Sequence, residues 1–253
     1  MHVALSDRIG VDLSRPARLE GGIVWATAHG VQYTDIQLDT EESAFTQFDD
    51  ARTTRVRAAP EPDGMHLGFH TLSAESVTDY SRLRSEWAVL HVGYLFTSVV
   101  KPRMQAGLDR LQRIANYAGK RGVHILLENL NKEPTLAEVH YHAHIVEESL
   151  FYYERVGTQT FWPSFTANHA HLGPQEVAGF VYALPWESVT QVRLADCFRN
   201  GHNQYLPPNP EKLDFPNTFH GTEATGIISH YMNAFGPPAN MPAARDTLAT
   251  MAE

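Results

Sequence analysis

The polar residues best suited to chemistry in this chain fall where apolar runs stop. Glu128 follows Val123 to Leu127, with Asn129 and Asn131 directly behind it. His70 sits near the end of Met65 to Leu72, and His91 lies inside Trp87 to Tyr94. Thr166 and His169 come at the end of Phe161 to Ala167, and Arg193 and Asp196 at the end of Val189 to Ala195, with His202 in the segment that follows. A carboxylate at the end of a hydrophobic run is costly to bury alone. Glu128 therefore needs a cation, a metal, a cluster of donors or a proton. Arg193, between Val192 and Leu194, is badly placed for a solvated charge. It either pairs with an acid, Glu128 being the nearest candidate, or binds an anionic substrate group, because a guanidinium matches carboxylate and phosphate geometry.

Each of these residues also has a plainer reading. His70 and His91 fit core histidines bonded to backbone. Asn129 and Asn131 are ordinary turn formers. His169 and His171 alternate, so in a continuing strand only one would face a shared pocket. His140, His142 and His144 fall in a segment read as helix, where positions 140 and 144 would share a face and could form a metal pair, though a packed or solvated face explains them as well. Cys197 reads as a buried thiol, since no nucleophile motif surrounds it.

The elements that would position these groups alternate between strand and helix. Val3 to Leu5 is a short first strand; Pro16 to His29 is a helix and Val31 to Leu38 a strand with apolar alternation. Glu41 to Ala59 reads as mostly helical, Met65 to Leu72 as a strand, Ala74 to Glu86 as a helix and Trp87 to Tyr94 as a buried strand. Lys101 to Lys120 carries a stripe of Met104, Leu108, Leu111, Ile114, Ala115 and Ala118 at helical spacing, with Pro102 in its first turn and Gly119 and Gly122 at its end. Val123 to Leu127 is apolar except for His124, the pattern of a strand buried on both faces. Leu136 to Val156 is a helix, Phe161 to Ala167 a strand, Gln175 to Leu184 a helix and Val189 to Ala195 a strand. Asn200 to Thr218 is a Pro- and Asn-rich loop, Gly226 to Phe235 a last strand and Ala243 to Met251 a closing helix. About eight strand–helix repeats imply a parallel sheet with right-handed crossovers, and 253 residues suit one barrel domain over 1–253. The fold expected is a single (β/α)8 TIM barrel, although periodicity alone does not separate it from an open doubly wound sheet.

Composition removes several alternatives. A net charge of -9 disfavours nucleic acid and anionic membranes as partners. One cysteine excludes an internal disulfide, and the N-terminal stretch lacks an apolar signal core, so a cytoplasmic location is expected. No apolar run is long enough to cross a membrane. Glycine-rich dinucleotide and phosphate loops, Gly-x-Ser-x-Gly and Cys-x-x-Cys are all missing.

Taken together, the strand ends resemble the xylose isomerase-like TIM-barrel superfamily, which includes sugar-phosphate isomerases and epimerases and endonuclease IV-type enzymes. Gly68-Phe69-His70-Thr71 resembles its strand-3 histidine, and Leu90-His91-Val92-Gly93 its His-Pro-Gly with Val92 in place of proline. Ile125-Leu126-Leu127-Glu128-Asn129 resembles its metal-binding Glu-Asn; Thr166-Ala167-Asn168-His169 its Asp-x-Gly-His; Val192-Arg193-Leu194-Ala195-Asp196 its Val-His-x-x-Asp. His202 resembles the histidine of the following loop. The usual metal of that superfamily is held by Glu, Asp, His and Glu. Here Glu128 remains, while Thr166, Arg193 and, around Asn233, the last strand stand where the other three are expected.

The resemblance leaves one other ligand set, His70, His91 and Glu128, matching the trio that holds one zinc in the nuclease branch. Two His and one Glu with an open position suit zinc; manganese is the second divalent candidate. The resemblance implies an isomerase, epimerase or lyase acting on a small polyol, keto-sugar or hydroxy acid. Glu128 or His169 would be the base, Arg193 or the metal the electrophile. Asn129, Asn131, Thr166, Asp196, His202 and Asn233 would bind substrate. The alternative is a non-catalytic ligand-binding barrel that has lost the family's metal. A nuclease is disfavoured by the incomplete ligand set and the acidic charge. A homo-oligomer is compatible with the sequence.

Overall fold

The computed structural model describes residues 5–13, 19–36, 50–58, 64–71, 81, 83–96, 100–132, 138–173, 175–184, 191–198, 200, 202, 204–209, 212–225, 230–234 and 236–253. Eight parallel strands close into a barrel in the order β1 (Ile9–Asp12), β2 (Tyr33–Ile36), β3 (His66–Thr71), β4 (Trp87–Leu90), β6 (His124–Glu128), β8 (Phe161–Thr166), β9 (Gln191–Leu194) and β10 (His230–Asn233), which pairs back to β1. Two further strands, β5 (Tyr94–Phe96) and β7 (Val139–Tyr141), form an antiparallel ribbon. The described helices are α1 (Leu19–Ala28), α2 (Asp50–Ala58), α3 (Val100–Gly119), α4 (Val146–Val156), α5 (Ala167–His171), α6 (Glu176–Ala183), α7 (Phe215–Glu223) and α8 (Met241–Met251). This is the expected (β/α)8 barrel, with closure through β1–β10 settling what periodicity left open.

Successive residues of a strand face opposite sides of the sheet, and here the two sides have different contents. Outward residues pack beneath the helices: Phe69, Ala88, Leu90, Ile125 and Leu127 join Leu108, Leu111, Ala115 and Ala118 of α3. On the far side Phe165, Val192 and Leu194 pack with Phe180, Phe219 and Leu248. The inward set is smaller and more polar. Trp87, Val89, Leu126 and Met232 form its apolar part, with Tyr33 and Trp162 against them. The register aligns Asp35 with Gly68, Gly68 with Trp87, and Thr166 with Arg193. A methyl group on Gly68 would lie 1.9 Å from Nε1 of Trp87, so only glycine lets this indole cross the barrel.

Several elements differ from expectation. The first strand is Ile9–Asp12, not Val3 to Leu5, of which residues 3 and 4 lie outside the described residues. Ile9 and Val11 alternate with Gly10 and Asp12, a four-residue pattern too short and too polar to stand out. Trp87 to Tyr94 is not one strand: β4 stops at Leu90, and Gly93 at φ 113° turns the chain into β5. Leu136 to Val156 is not one helix. Val139–Tyr141 pairs with β5, and the helix starts at Val146, so local helical periodicity yields to tertiary strand pairing. His140, His142 and His144 therefore do not share a helix. The loop read across Asn200 to Thr218 gives way at Phe215 to α7, capped by the Asp214 side chain accepting from Asn217 N at 3.0 Å. The short α5 replaces a strand continuation, so His169 and His171 are helical neighbours. Most of the helix expected at Ala74 to Glu86, the start of that at Glu41 to Ala59, and residues 226–229 and 235 of the last strand lie outside the described residues. No helix among the described residues is long and apolar enough to cross a membrane.

Candidate active site

The C-terminal ends of the barrel strands bring Glu128, His70, His91, His169, Thr166 and Arg193 together. The carboxylate of Glu128 is fully buried, and its two oxygens have different surroundings. Oε2 lies 3.0 Å from Nε2 of His70 and 2.6 Å from Nε2 of His91, and the two imidazole nitrogens are 3.1 Å apart. Oε1 accepts from Thr166 Oγ1 at 2.7 Å and has Nδ1 of His169 at 3.3 Å and Nε of Arg193 at 3.8 Å. The buried carboxylate that sequence reasoning flagged thus has the companions it requires.

Behind this cluster, inside the barrel, lies an ion network that the sequence reading missed. Arg193, 1% exposed, donates through Nη1 to Asp35 and through Nη2 to Asp12, both with short contacts. Nη1 also donates to Gln191 Oε1 at 3.2 Å. Asp35 accepts in addition from Trp87 Nε1 at 2.7 Å and Gln191 Nε2 at 3.1 Å. The principal partners of Arg193 are therefore two aspartates rather than Glu128. Both of its terminal nitrogens are engaged within the protein.

The electrostatics follow from this geometry. Burial raises the pKa of Glu128, but His70 and His91 outweigh burial and hold it well below the usual carboxylate range. Burial and Arg193 push His70 down, whereas Glu128 and Asp12 overcome both and raise it to about 9. Without metal, His70 is thus a cation donating Nδ1–H to Asp12 Oδ2 at 3.3 Å and Nε2–H to Glu128. Arg193 Nη2, 3.0 Å from Nδ1 of His70, then shares the same Asp12 oxygen with the imidazolium. His91 is lowered, mainly by burial, with His70 and Arg193 acting in the same direction against Glu128. Burial lowers His169 to about 4, so its ring is neutral at pH 7. Asp35 is raised by burial and by Asp12, against the pull of Arg193.

The donor set suits a metal. His70 Nε2, His91 Nε2 and Glu128 Oε2 converge within 3.1 Å of one another. Zinc bonds of ~2.0–2.2 Å hold ligand atoms ~3.3–3.5 Å apart in a tetrahedron, so the trio lies near ligand spacing. Asp12 behind Nδ1 of His70 is the carboxylate partner that orients a ligating imidazole and frees its other nitrogen. Among the described residues, these three form a group of histidine, cysteine or carboxylate side chains able to hold an ion.

The other expected substrate-binding residues are placed differently. Asn129 joins two strand ends, donating Nδ2 to Thr166 O at 3.1 Å and accepting from Thr166 N at 2.7 Å. Asn131 donates to the carbonyl of Lys132 at 3.0 Å. Asp196 is buried, with Oδ1 accepting from Cys197 N at 2.8 Å and its backbone bridged to Leu206. Burial raises its pKa. His202 is exposed, and its backbone N–H donates to Asn200. Asn233 donates to Met241 O at 3.4 Å at the start of α8, a contact between barrel and helix. His142 is buried against the Tyr152 hydroxyl, and His144, half of the metal pair expected with His140, lies 3.0 Å from Glu148. Cys197 is buried, as read, and its thiol is pushed up to about 11 by burial. A cavity of about 600 Å³ between α6 and α7, lined by Val177, Val181, Lys212 and Asn217 among others, lies outside the barrel and contains none of the cluster residues.

Asp12, Asp35 and Tyr205 are the site residues that sequence reasoning missed. The first two carried the signal that exposed Arg193: a charge inside a short apolar strand, as in Gly10-Val11-Asp12 and Thr34-Asp35-Ile36. Tyr205, in an irregular segment, carried none.

No protein-family model matches the sequence, and no curated protein matches it. Solved structures do. A D-tagatose 3-epimerase-like protein superposes with TM-score 0.79 at 13% identity over 96% of each chain. A xylose isomerase domain protein from Alicyclobacillus acidocaldarius gives 0.77 at 13% identity over 96% of this chain and 98% of that one. A probable 3-DHS dehydratase involved in petrobactin synthesis, from Bacillus anthracis, gives 0.67 at 10% identity over 96% and 97%. Superposing on these structures over nearly its whole length, the protein has the fold of the xylose isomerase-like TIM barrels that its strand-end motifs resemble.

Proposed function

We propose that this protein is an isomerase, epimerase or lyase of small polyols, keto-sugars or hydroxy acids, with one divalent metal, zinc or manganese, held by His70, His91 and Glu128. The observation that carries this reading is the convergence of two imidazole nitrogens and one carboxylate oxygen at the C-terminal mouth of the barrel, where barrel enzymes gather their reacting groups. The solved neighbours that are named as sugar epimerases and a dehydratase support the same substrate class.

A bound metal supplies Lewis acidity toward a substrate oxygen. The remaining roles belong to the chain. Glu128, held ionised by the two histidines, is a ligand and a poor base. His169, neutral at pH 7, is the better proton acceptor, its Nε2 lying 3.1 Å from the Tyr205 hydroxyl. Thr166 fixes the oxygen of Glu128 that does not face the histidines. Arg193 is a structural countercharge between Asp12 and Asp35. The alternative, a non-catalytic binding barrel, draws on the same fact: three positions that carry ligands in the resembled family hold Thr166, Arg193 and Asn233 instead.

The test is solvent deuterium incorporation into ketoses and hydroxy acids, read by NMR, alongside elemental analysis. About one equivalent of zinc or manganese, lost in His91→Ala, and exchange abolished in Glu128→Gln are expected. Exchange that survives Glu128→Gln refutes the assignment, and neither metal nor exchange favours the binding barrel.

A further inference from the structure

Of the three side chains in the proposed metal trio, the barrel sheet places two. His70 lies within β3, and Glu128 closes β6, in register with Ser164 of β8. His91 comes one residue after the end of β4 and lies outside the strand ladder. A short crossing segment between the ribbon and α4, His142 and Ala143, ties down the chain that carries it. His142 N donates to Gly93 O at 3.0 Å, two residues beyond His91. Ala143 O accepts from Leu130 N at 3.3 Å, two residues beyond Glu128. Two adjacent residues thus join the loops behind two side chains whose Nε2 and Oε2 lie 2.6 Å apart. Both residues are buried, and Ala143 is held at φ 62°, a conformation that a residue with a Cβ keeps only where its surroundings fix it.

The crossing segment is itself fixed by Tyr152 of α4, whose fully buried phenol is hydrogen-bonded to Nδ1 of His142 through a short contact. Helix α3 closes the arrangement from the other side at Gly107. A methyl group there would lie 2.8 Å from Val92 Cγ1, 3.1 Å from the Tyr152 hydroxyl and 3.5 Å from Cε1 of His142. Val92 directly follows His91. The helix backbone, the phenol, the imidazole and the loop of His91 therefore meet with no room for one more carbon. We propose that Tyr152 is a positioning residue for the metal trio: through His142 and Ala143 it fixes the loop of His91 against that of Glu128 and so sets the spacing of these two ligands. Groups that hold a ligand in place without touching the metal govern its affinity, because a displaced ligand loses part of its bond. This rests on the reading of His70, His91 and Glu128 as a metal trio.

The experiment uses the full-length chain and three variants. Tyr152→Phe removes one oxygen, and Gly107→Ala presses on the same groups from α3. Tyr231→Phe removes an equally buried hydroxyl that meets Thr222 at 2.8 Å and Glu223 at 2.7 Å, and so controls for lost stability alone. In zinc titrations, Tyr152→Phe and Gly107→Ala should bind about tenfold or more weakly than wild type, and Tyr231→Phe like wild type. The visible absorption of cobalt-loaded protein should change in the first two variants only. Wild-type zinc affinity in Tyr152→Phe or Gly107→Ala overturns the proposal, as does an equal loss in Tyr231→Phe. The second arm needs no metal: amide hydrogen exchange of the metal-free chain. The N–H groups of His142 and Leu130 should exchange about tenfold faster in Tyr152→Phe, beyond any change at Ile125 in β6. A uniform change, or none, overturns the proposal. Should Tyr152→Phe fail to fold, Gly107→Ala carries both arms. If wild type binds no zinc, the metal reading fails by itself, and the exchange arm still decides whether Tyr152 holds the two loops together.

Discussion

Replacing Arg193 with methionine tests the electrostatics of the site most directly, because it moves stability and metal affinity in opposite directions. Without metal, the buried charges of this network are the carboxylates of Asp12, Asp35 and Glu128 against the cations Arg193 and His70. Removing the guanidinium leaves two aspartates facing each other inside a barrel where Asp12 is 6% and Asp35 0% exposed. A unit pair at 4 Å and an effective dielectric of 20 is worth about 4 kcal/mol. Breaking a buried pair by deleting one partner costs ~3–5 kcal/mol once desolvation and relaxation are counted. Protonation of Asp35, whose pKa is already raised, limits the loss to that range. At ~2–4 °C per kcal/mol for a chain of this size, the melting temperature should fall by ~6–20 °C. The double variant Arg193→Met with Asp35→Asn should regain at least half of this, because the uncompensated charge goes while an acceptor remains for Trp87 Nε1. Zinc should bind Arg193→Met ~10-fold or more tightly than wild type, since a cation 3.8 Å from Glu128 Oε1 has been removed. Calorimetric melts of metal-free protein and zinc titrations read both effects. A single variant that melts with wild type, or a double variant no more stable than the single, would refute the reasoning.

Two further outcomes follow from the barrel interior. Burial lowers His230 to about 3, and Gln191 Nε2 donates to its Nε2 at 3.1 Å. Between pH ~6.5 and ~3 the unfolded chain takes up a proton that the folded chain refuses, so stability falls with falling pH by up to ~1.4 kcal/mol per unit. In urea unfolding at pH 6.5 and pH 5, His230→Gln should lose ~2 kcal/mol less than wild type between the two; identical losses would place the titrating group elsewhere. Gly68→Ala would put a methyl 1.9 Å from the Trp87 indole nitrogen and break its 2.7 Å bond to Asp35. A cost of at least ~1–3 kcal/mol from overpacking, with altered tryptophan emission, is expected, and unchanged stability and emission would mean that this indole does not cross the barrel.

Much of the architecture was legible because parallel barrel strands are punctuated by their own ends. Val123 to Leu127 closing on Glu128 shows both the strand and the buried carboxylate that ends it. The α3 stripe from Leu108 to Ala118 states its buried face plainly. Short polar strands were harder to read. Ile9–Asp12 offers two apolar residues, and its assignment depends on pairing with β10 and β2, contacts more than twenty residues away in sequence. β7 was lost for a related reason: three residues pair with β5 inside a segment whose local pattern favours helix. In the site, His70, His91, Glu128 and His169 were found because each is conspicuous at the end of an apolar run. Asp12 and Asp35 were not, although an arginine inside a strand demanded acids. Glu128 is the acid nearest to hand in the sequence, whereas the pairing of Arg193 is settled by barrel closure rather than by proximity in sequence.

Arginine at position 193 is tolerable only as part of a unit. A guanidinium inside a barrel needs carboxylates to offset its desolvation, and carboxylates at 12 and 35 need the guanidinium for the same reason. Neither aspartate belongs to the proposed metal trio: Asp12 meets His70 Nδ1, while Asp35 is bound by Trp87, Gln191 and Arg193. The unit fills the barrel interior behind the trio, and Glu128 Oε2 is the oxygen that faces the two histidines. Thr166 supplies a hydroxyl that donates to Glu128, and Asn233 donates to Met241 O, so neither of these strand ends adds a carboxylate to the trio. The stoichiometry expected of this barrel, one metal and one internal arginine, follows from where these side chains point and not from any one substitution.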